Sequence, residues 1–304
     1  MSKRGWTLFA ALGIIWGTPY LLIRIAVEYL SPSVIVVGRM SLALALLLPL
    51  VVKSNLPAVW KSHRNAIIAF AAAEMIFPFG ALAIAEKRIS SSLAGLLIAA
   101  VPLVTALLLA RIGHEDKWDS RRLLGLGIGL AGVTCLVGLD LRADNWWSIA
   151  ITFIAVFGYA LGPIIINTRL QQAPEVAVIA LAQVVTIVVY SPILLIQIIN
   201  GSWQTPYAAT NGVPVSAWAA VAGLGIFCTA LAFVLLFKLI DEVGPGRTTV
   251  ITYINPAVAI ILGITLLDEE FTPGIAVGFP LVLLGSVLAT RKAKKASSTT
   301  ASSL

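Results

Sequence analysis

Arg39 and Glu74 are the residues of this 304-residue chain whose type and position most plainly invite chemistry. Each sits inside an otherwise apolar run, Arg39 about two turns in and Glu74 near the middle. Charge in hydrocarbon is costly, and such groups face a cavity or a partner. A guanidinium offers a fork of donors that fits a carboxylate or phosphate. A carboxylate at the same depth takes up a proton or binds an amine. The two runs are antiparallel neighbours in sequence, so the side chains reach similar depths and can pair. Arg39 as an anion site with Glu74 as the proton-coupling group is one reading. A buried ion pair that only fixes helix packing is the other.

A second polar group, Thr252, Tyr253 and Asn255, immediately precedes Pro256. It would suit one wall of a substrate cavity. Trp16 is a further candidate for substrate binding, and Tyr20, Tyr159 and Gln183 are weaker ones. No metal site is legible from two histidines, His63 and His114, and two separated thiols, Cys135 and Cys228. No phosphate-binding loop or HExxH pattern occurs, so nothing in the sequence supports ATP hydrolysis or peptidase chemistry. No cofactor is implied.

The elements that position these residues must be membrane helices. The chain is 59% hydrophobic and only 12% charged, too little charge for a soluble domain of this length. Ten apolar segments recur with mostly short connections, about residues 6–23, 34–52, 66–85, 91–110, 123–139, 147–166, 176–199, 215–237, 248–267 and 274–290. None alternates with period two, so helices rather than a β-barrel are expected. The basic N-terminus followed by an apolar run has no small-residue cleavage site and reads as a retained first helix. Seven of the eight tryptophans lie near segment ends, where they anchor at the interface, and Trp16 is the exception.

The stretch from Ser91 to Glu115, with Pro102 at its centre, returns as Pro245 to Glu269, with Pro256 at its centre. Both prolines and both glutamates share an offset of 154 residues; Trp6 and Gly17 align with Trp147 and Gly158 at 141. The expected organisation is an all-α membrane protein of ten transmembrane helices in two inverted five-helix repeats. Residues 1–140 and 141–291 form the repeats, followed by a basic, then polar, tail at 292–304. Pro19, Pro102 and Pro256 are expected kinks or hinges. With the N-terminus inside, 16 of the 21 lysines and arginines fall on the cytoplasmic side, and Arg24, Lys87, Arg88 and Arg142 fall outside. Both termini are then cytoplasmic, and the scattered basic residues set topology rather than bind nucleic acid. The glycines at 125, 127, 129 and 132 suit close helix approach, either within the fold or at a homodimer seam.

The motifs Trp16-Gly17-Thr18-Pro19 and Gly38-Arg39, the Pro102 helix with its Gly-rich successor, and the repeat Thr248–Gly285 with Pro256 and Glu269 resemble EamA-type members of the drug/metabolite transporter superfamily. The resemblance runs from about Trp6 to Arg291. It implies a secondary transporter of the inner membrane with a central cavity lined by both halves and alternating access by rocking bundles. It also implies export of a small metabolite such as an amino acid, as in many members; coupling to protons, with Glu74 as the candidate group, is a separate expectation from that residue's position. An importer or antiporter competes within transport; a membrane-embedded lipid-modifying enzyme and a channel compete from outside it. The segment Ile112 to Asp116 departs from the family pattern by an extra histidine and aspartate around Glu115.

Overall fold

The computed structural model describes residues 2–52, 54–112, 120–140, 146–243 and 249–290. Lys53, His114, Glu115, Trp118, Arg142 and the tail at 292–304, for which the sequence suggested roles, lie outside the described residues. Among those described, every named element is helical, and the only β pairing is an isolated bridge between Leu30 and Gln204.

Helices α1 (Lys3–Gly17) and α2 (Pro19–Val27) form a first span and α3 (Pro32–Val51) a second. The third joins α4 (Leu56–Ala71), a π-turn at Ala72–Ile76 and α5 (Phe77–Ala85). Helices α6 (Ser91–Ile98) and α7 (Val101–Ile112) follow, then α8 (Ser120–Asp140), α9 (Trp146–Arg169) and α10 (Glu175–Ile199). After the short α11 (Pro206–Asn211), α12 (Val215–Gly225), a π-turn at Ile226–Leu231 and α13 (Ala232–Val243) make another long span. A 3₁₀ turn at Thr249–Tyr253 leads into α14 (Asn255–Leu267), and α15 (Pro273–Thr290) ends the described chain.

Seven of these helical stretches are long and apolar enough to cross a membrane; three shorter apolar helices cover Leu123–Leu136, Ile251–Leu267 and Pro273–Ala289. Each of the ten apolar segments in the sequence falls on one of these ten helical stretches. Lipid offers no partner to backbone groups, so apolar segments of this length satisfy themselves as helices.

The prolines act differently from a simple kink. A continuous helix bent at Pro102 was expected; instead α6 stops at Ile98 and α7 starts at Val101. Ala99 and Ala100 bridge the gap with tight bonds, their amides 3.0 Å from the carbonyls of Leu96 and Leu97. Pro102 then occupies the first turn of a new helix, where no amide donor is needed. Pro19 and Pro256 likewise open α2 and α14. Pro49, Pro163, Pro192 and Pro280 stay inside continuous helices.

Packing pairs the two parts of the chain reciprocally. Helix α1 lies on α13 and α14, while α9 lies on α5 and its π-turn and on α6 and α7. Helix α3 packs on α10, and α8 on α15. Two close approaches fix the first pair of contacts. A Cβ on Gly17 would come within 2.8 Å of the Asn255 carbonyl oxygen, and one on Gly158 within 2.8 Å of Pro78 Cγ and closer still to the Ala73 carbonyl. The π-turns start at residues 72 and 226, which is 154 apart, the offset that relates Pro102 to Pro256. The Gly-rich face of α8 is occupied within the chain: Gly125, Gly129 and Gly132 meet Gly285, Ala289 and Val282 of α15.

Candidate functional site

The buried end of Arg39 is held by groups from both parts of the chain. Only 7% exposed, it donates from Nε to Thr229 Oγ1 at 2.7 Å. Thr229 lies on the second π-turn and in turn donates to the Leu224 carbonyl five residues back at 2.8 Å. That return bond is the spacing of a π-turn, and it aims the threonine oxygen at the arginine. The guanidinium carbon stands 3.9 Å from the centroid of the Phe79 ring, an aromatic face that attracts a cation. Among the described residues Nε is the only Arg39 nitrogen with a hydrogen-bond partner.

Glu74 does not pair with Arg39, against the expectation from depth alone. It sits on the first π-turn, with Oε2 buried against Gly162 of α9 and without a hydrogen-bond partner. The reason is local. The wide turn changes the angular position of its residues, so depth predicted from a regular helix does not predict facing. Tyr190 supports the turn by donating from its hydroxyl to the Ile76 carbonyl at 2.8 Å.

Tyr20, Arg39 and Tyr159 lie within electrostatic reach of one another from α2, α3 and α9, and Glu74 on the first π-turn lies within reach of Tyr159. A cation with unengaged donors, an aromatic face and two phenols can bind an anionic group and stack a flat one.

The remaining candidates gather elsewhere. Trp16 packs with Ile251 and Ile254 beside the 3₁₀ turn that carries Thr252 and Tyr253. The Asn255 amide, oriented to satisfy both ends, donates to the carbonyls of Gly13 at 3.2 Å and Ile251 at 3.1 Å. Asn255 thus ties α1 to the 3₁₀ turn that precedes α14. Gln183 on α10 is fully buried, and neither atom of its amide finds a partner. A separate cavity of about 620 Å³ between α4, α5 and α9 is lined by alanines, leucine, isoleucines and phenylalanines and contains none of these polar groups.

Sequence reasoning missed Phe79 and Thr229, the immediate neighbours of Arg39. A lone threonine in the apolar run 215–237 was the only signal for the second, and π-turns leave no mark in composition. It also missed Glu86, which is 0% exposed, and the role of Glu269. Glu269 accepts from the amides of Ser91 at 2.7 Å and Ser92 at 2.9 Å and from Ser92 Oγ at 2.6 Å, capping the N-terminus of α6. A carboxylate there satisfies orphan amides and meets the positive end of the helix dipole.

A helical bundle of apolar spans, broken at prolines around a buried polar group, belongs to the class of polytopic membrane proteins. A solved crystal structure shares the fold, with a TM-score of 0.63 and 14% identity over 95% of this chain and 97% of that one. The sequence matches the EamA-like transporter family over residues 3–138 and again over 146–291, and the chain belongs to that family of membrane transporters. It is 27% identical to the uncharacterized inner membrane transporter YedA of Escherichia coli, over 92% of this chain and 88% of that protein. It is 23% identical to the uncharacterized transporter YyaM of Bacillus subtilis, over 93% and 92%.

Proposed function

We propose that this chain is a secondary transporter of the inner membrane that exports a small metabolite bearing a carboxylate, such as an amino acid, by alternating access. In this reading ten helices form two inverted five-helix repeats, residues 1–140 and 141–291, with both termini in the cytoplasm. The double family match, the π-turns 154 residues apart and the reciprocal packing support it. Inverted repeats place the substrate between the halves near midplane, and broken helices line that site.

Arg39 is the observation that carries the reading. A buried guanidinium with no carboxylate partner among the described residues, held by Thr229 and Phe79 from opposite halves, waits for an anion at the place where rocking halves would meet. Tyr20 and Tyr159 flank the bound group. Glu74 supplies a proton-coupling carboxylate or receives the substrate amine beside Tyr159. Proteoliposome counterflow with a panel of amino acids and other small metabolites tests the proposal. Exchange within one carboxylate-bearing class is expected; exchange only of cations or neutral compounds would overturn the Arg39 assignment.

Glu74→Gln separates the two roles of that carboxylate. With a proton role, the variant loses concentrative transport driven by a pH gradient yet keeps equilibrium exchange. Concentrative transport with unchanged pH dependence would remove the proton role.

A further inference from the structure

The end of the bundle formed by α2, α5, α6 and the turn after α14 encloses a carboxyl group that substrate binding at Arg39 does not use. Glu86 follows α5 directly, is 0% exposed, and neither of its carboxyl oxygens has a hydrogen-bond partner among the described residues. The hydroxyl of Ser91, five residues on, is also buried and unpartnered. Arg24 is close, yet its Nη1 donates at 3.0 Å to the Glu86 backbone carbonyl rather than to the carboxyl. The nearby carboxylate of Glu269 is committed to the amides of Ser91 and Ser92. It is held there by Asp268, whose left-handed φ of 52° turns the chain back, and by a Glu269 amide bond to the Gly263 carbonyl at 3.1 Å. Two carboxyls thus share one end of the bundle while the nearby Arg24 is engaged with backbone.

We propose that Glu86 is a proton-binding site that holds this end of the bundle shut, neutral while the end is closed and giving its proton to water when the end opens. The inference rests on the transport reading, in which such a site couples proton movement to opening of the side that charge distribution assigns to the exterior. The ligand is a proton: the carboxyl O–H breaks, the carboxylate remains, and a water of the opened vestibule accepts.

The electrostatic surroundings agree. Burial first, and Glu269 second, push the Glu86 carboxyl well above the usual carboxylate range, and Arg24 opposes them. Tyr20 from α2 and Tyr159 from α9 also lie within electrostatic reach of it, and Lys87 beside it in sequence is pulled down by partial burial. In an open, hydrated end Glu86 returns toward its ordinary value. Between those values closing takes up one proton, so closure is favoured at low pH and lost as pH rises through the raised value.

Hydrogen–deuterium exchange of full-length protein in lipid nanodiscs, followed at the amides of residues 91–98 from pH 5 to pH 9 and corrected for intrinsic rates, tests this without any substrate. Each unit of pKa difference between closed and open states gives a tenfold change, so wild-type protection is expected to fall about tenfold or more as pH rises. Glu86→Gln should retain the low-pH protection throughout, and Arg24→Gln should move the wild-type fall to higher pH. Glu269→Gln weakens the cap and should lower protection at every pH, and because it removes a charge that raises the Glu86 carboxyl it should also move the fall to lower pH. A flat wild-type profile, or the same fall in Glu86→Gln, overturns the proposal. Because no substrate enters, that failure is distinct from an absence of counterflow, which would sink the transport reading instead.

Discussion

Arg39→Ala is expected to abolish exchange of a carboxylate-bearing substrate while leaving the protein folded. The expected loss is the binding of an anion to a desolvated guanidinium, about 3 kcal/mol or more, which is roughly a hundredfold in affinity. Folding should suffer less, because among the described residues Arg39 makes one side-chain hydrogen bond, to Thr229, and one aromatic contact, to Phe79. Thr229 keeps its bond to the Leu224 carbonyl after the truncation, so no buried donor is orphaned there. Arg39→Lys restores the charge but not the planar fork, and should recover binding only in part. Counterflow rates at several substrate concentrations, beside a thermal unfolding profile in detergent, would read the two effects separately. Full exchange in Arg39→Ala would return this residue to helix packing and move the anion site elsewhere.

Gly285→Leu is expected to have the largest effect on folding. A Cβ at Gly285 would stand 2.5 Å from Gly129 Cα and 2.6 Å from the Gly125 carbonyl oxygen, both backbone atoms of α8 that no side-chain rotation can move. The helices must separate along the seam that also holds Gly132 against Val282. Overpacking of this kind costs about 1–3 kcal/mol or more. Gly127 provides the control, since a Cβ there meets nothing within 4 Å. Gly127→Leu should unfold at the wild-type temperature, and Gly285→Leu well below it, in the same detergent. Equal midpoints would mean that α8 and α15 do not pack as described.

The two glycines illustrate where sequence stops. Spacing along Gly125 to Gly132 announced a close helix approach and left two partners open, a neighbouring helix or a second copy. Only the fold shows Gly125, Gly129 and Gly132 pressed against α15, because the partner lies about 150 residues away in sequence.

The same division holds at the site. Arg39 and Glu74 stand out in sequence because charge in an apolar run is expensive wherever the chain goes. Their pairing does not follow from depth, because facing depends on the π-turn at Ala72–Ile76, and a wide turn costs no distinctive residue. Thr229 and Phe79 looked like ordinary members of apolar runs until the second π-turn brought one, and α5 the other, to the guanidinium. Glu86 was hidden among the charges that end a segment, where exposure is the default; burial by α2, α6 and the turn after α14 is a tertiary event. Glu269 was legible as a repeat marker, but its hold on Ser91 and Ser92 joins residues 177 and 178 positions apart.

The sequence by itself determined that this is a helical membrane protein with ten apolar segments, internally similar halves and disturbed helices at Pro19, Pro102 and Pro256. Those properties are local: run length, charge cost and a missing amide act within a few residues of one another. Tertiary structure alone decided which groups hold Arg39, where Glu74 faces, what fills the glycine seam and which carboxyl is sealed from water. Each of those depends on packing between segments far apart in the chain, where a change of one residue in a turn redirects a side chain.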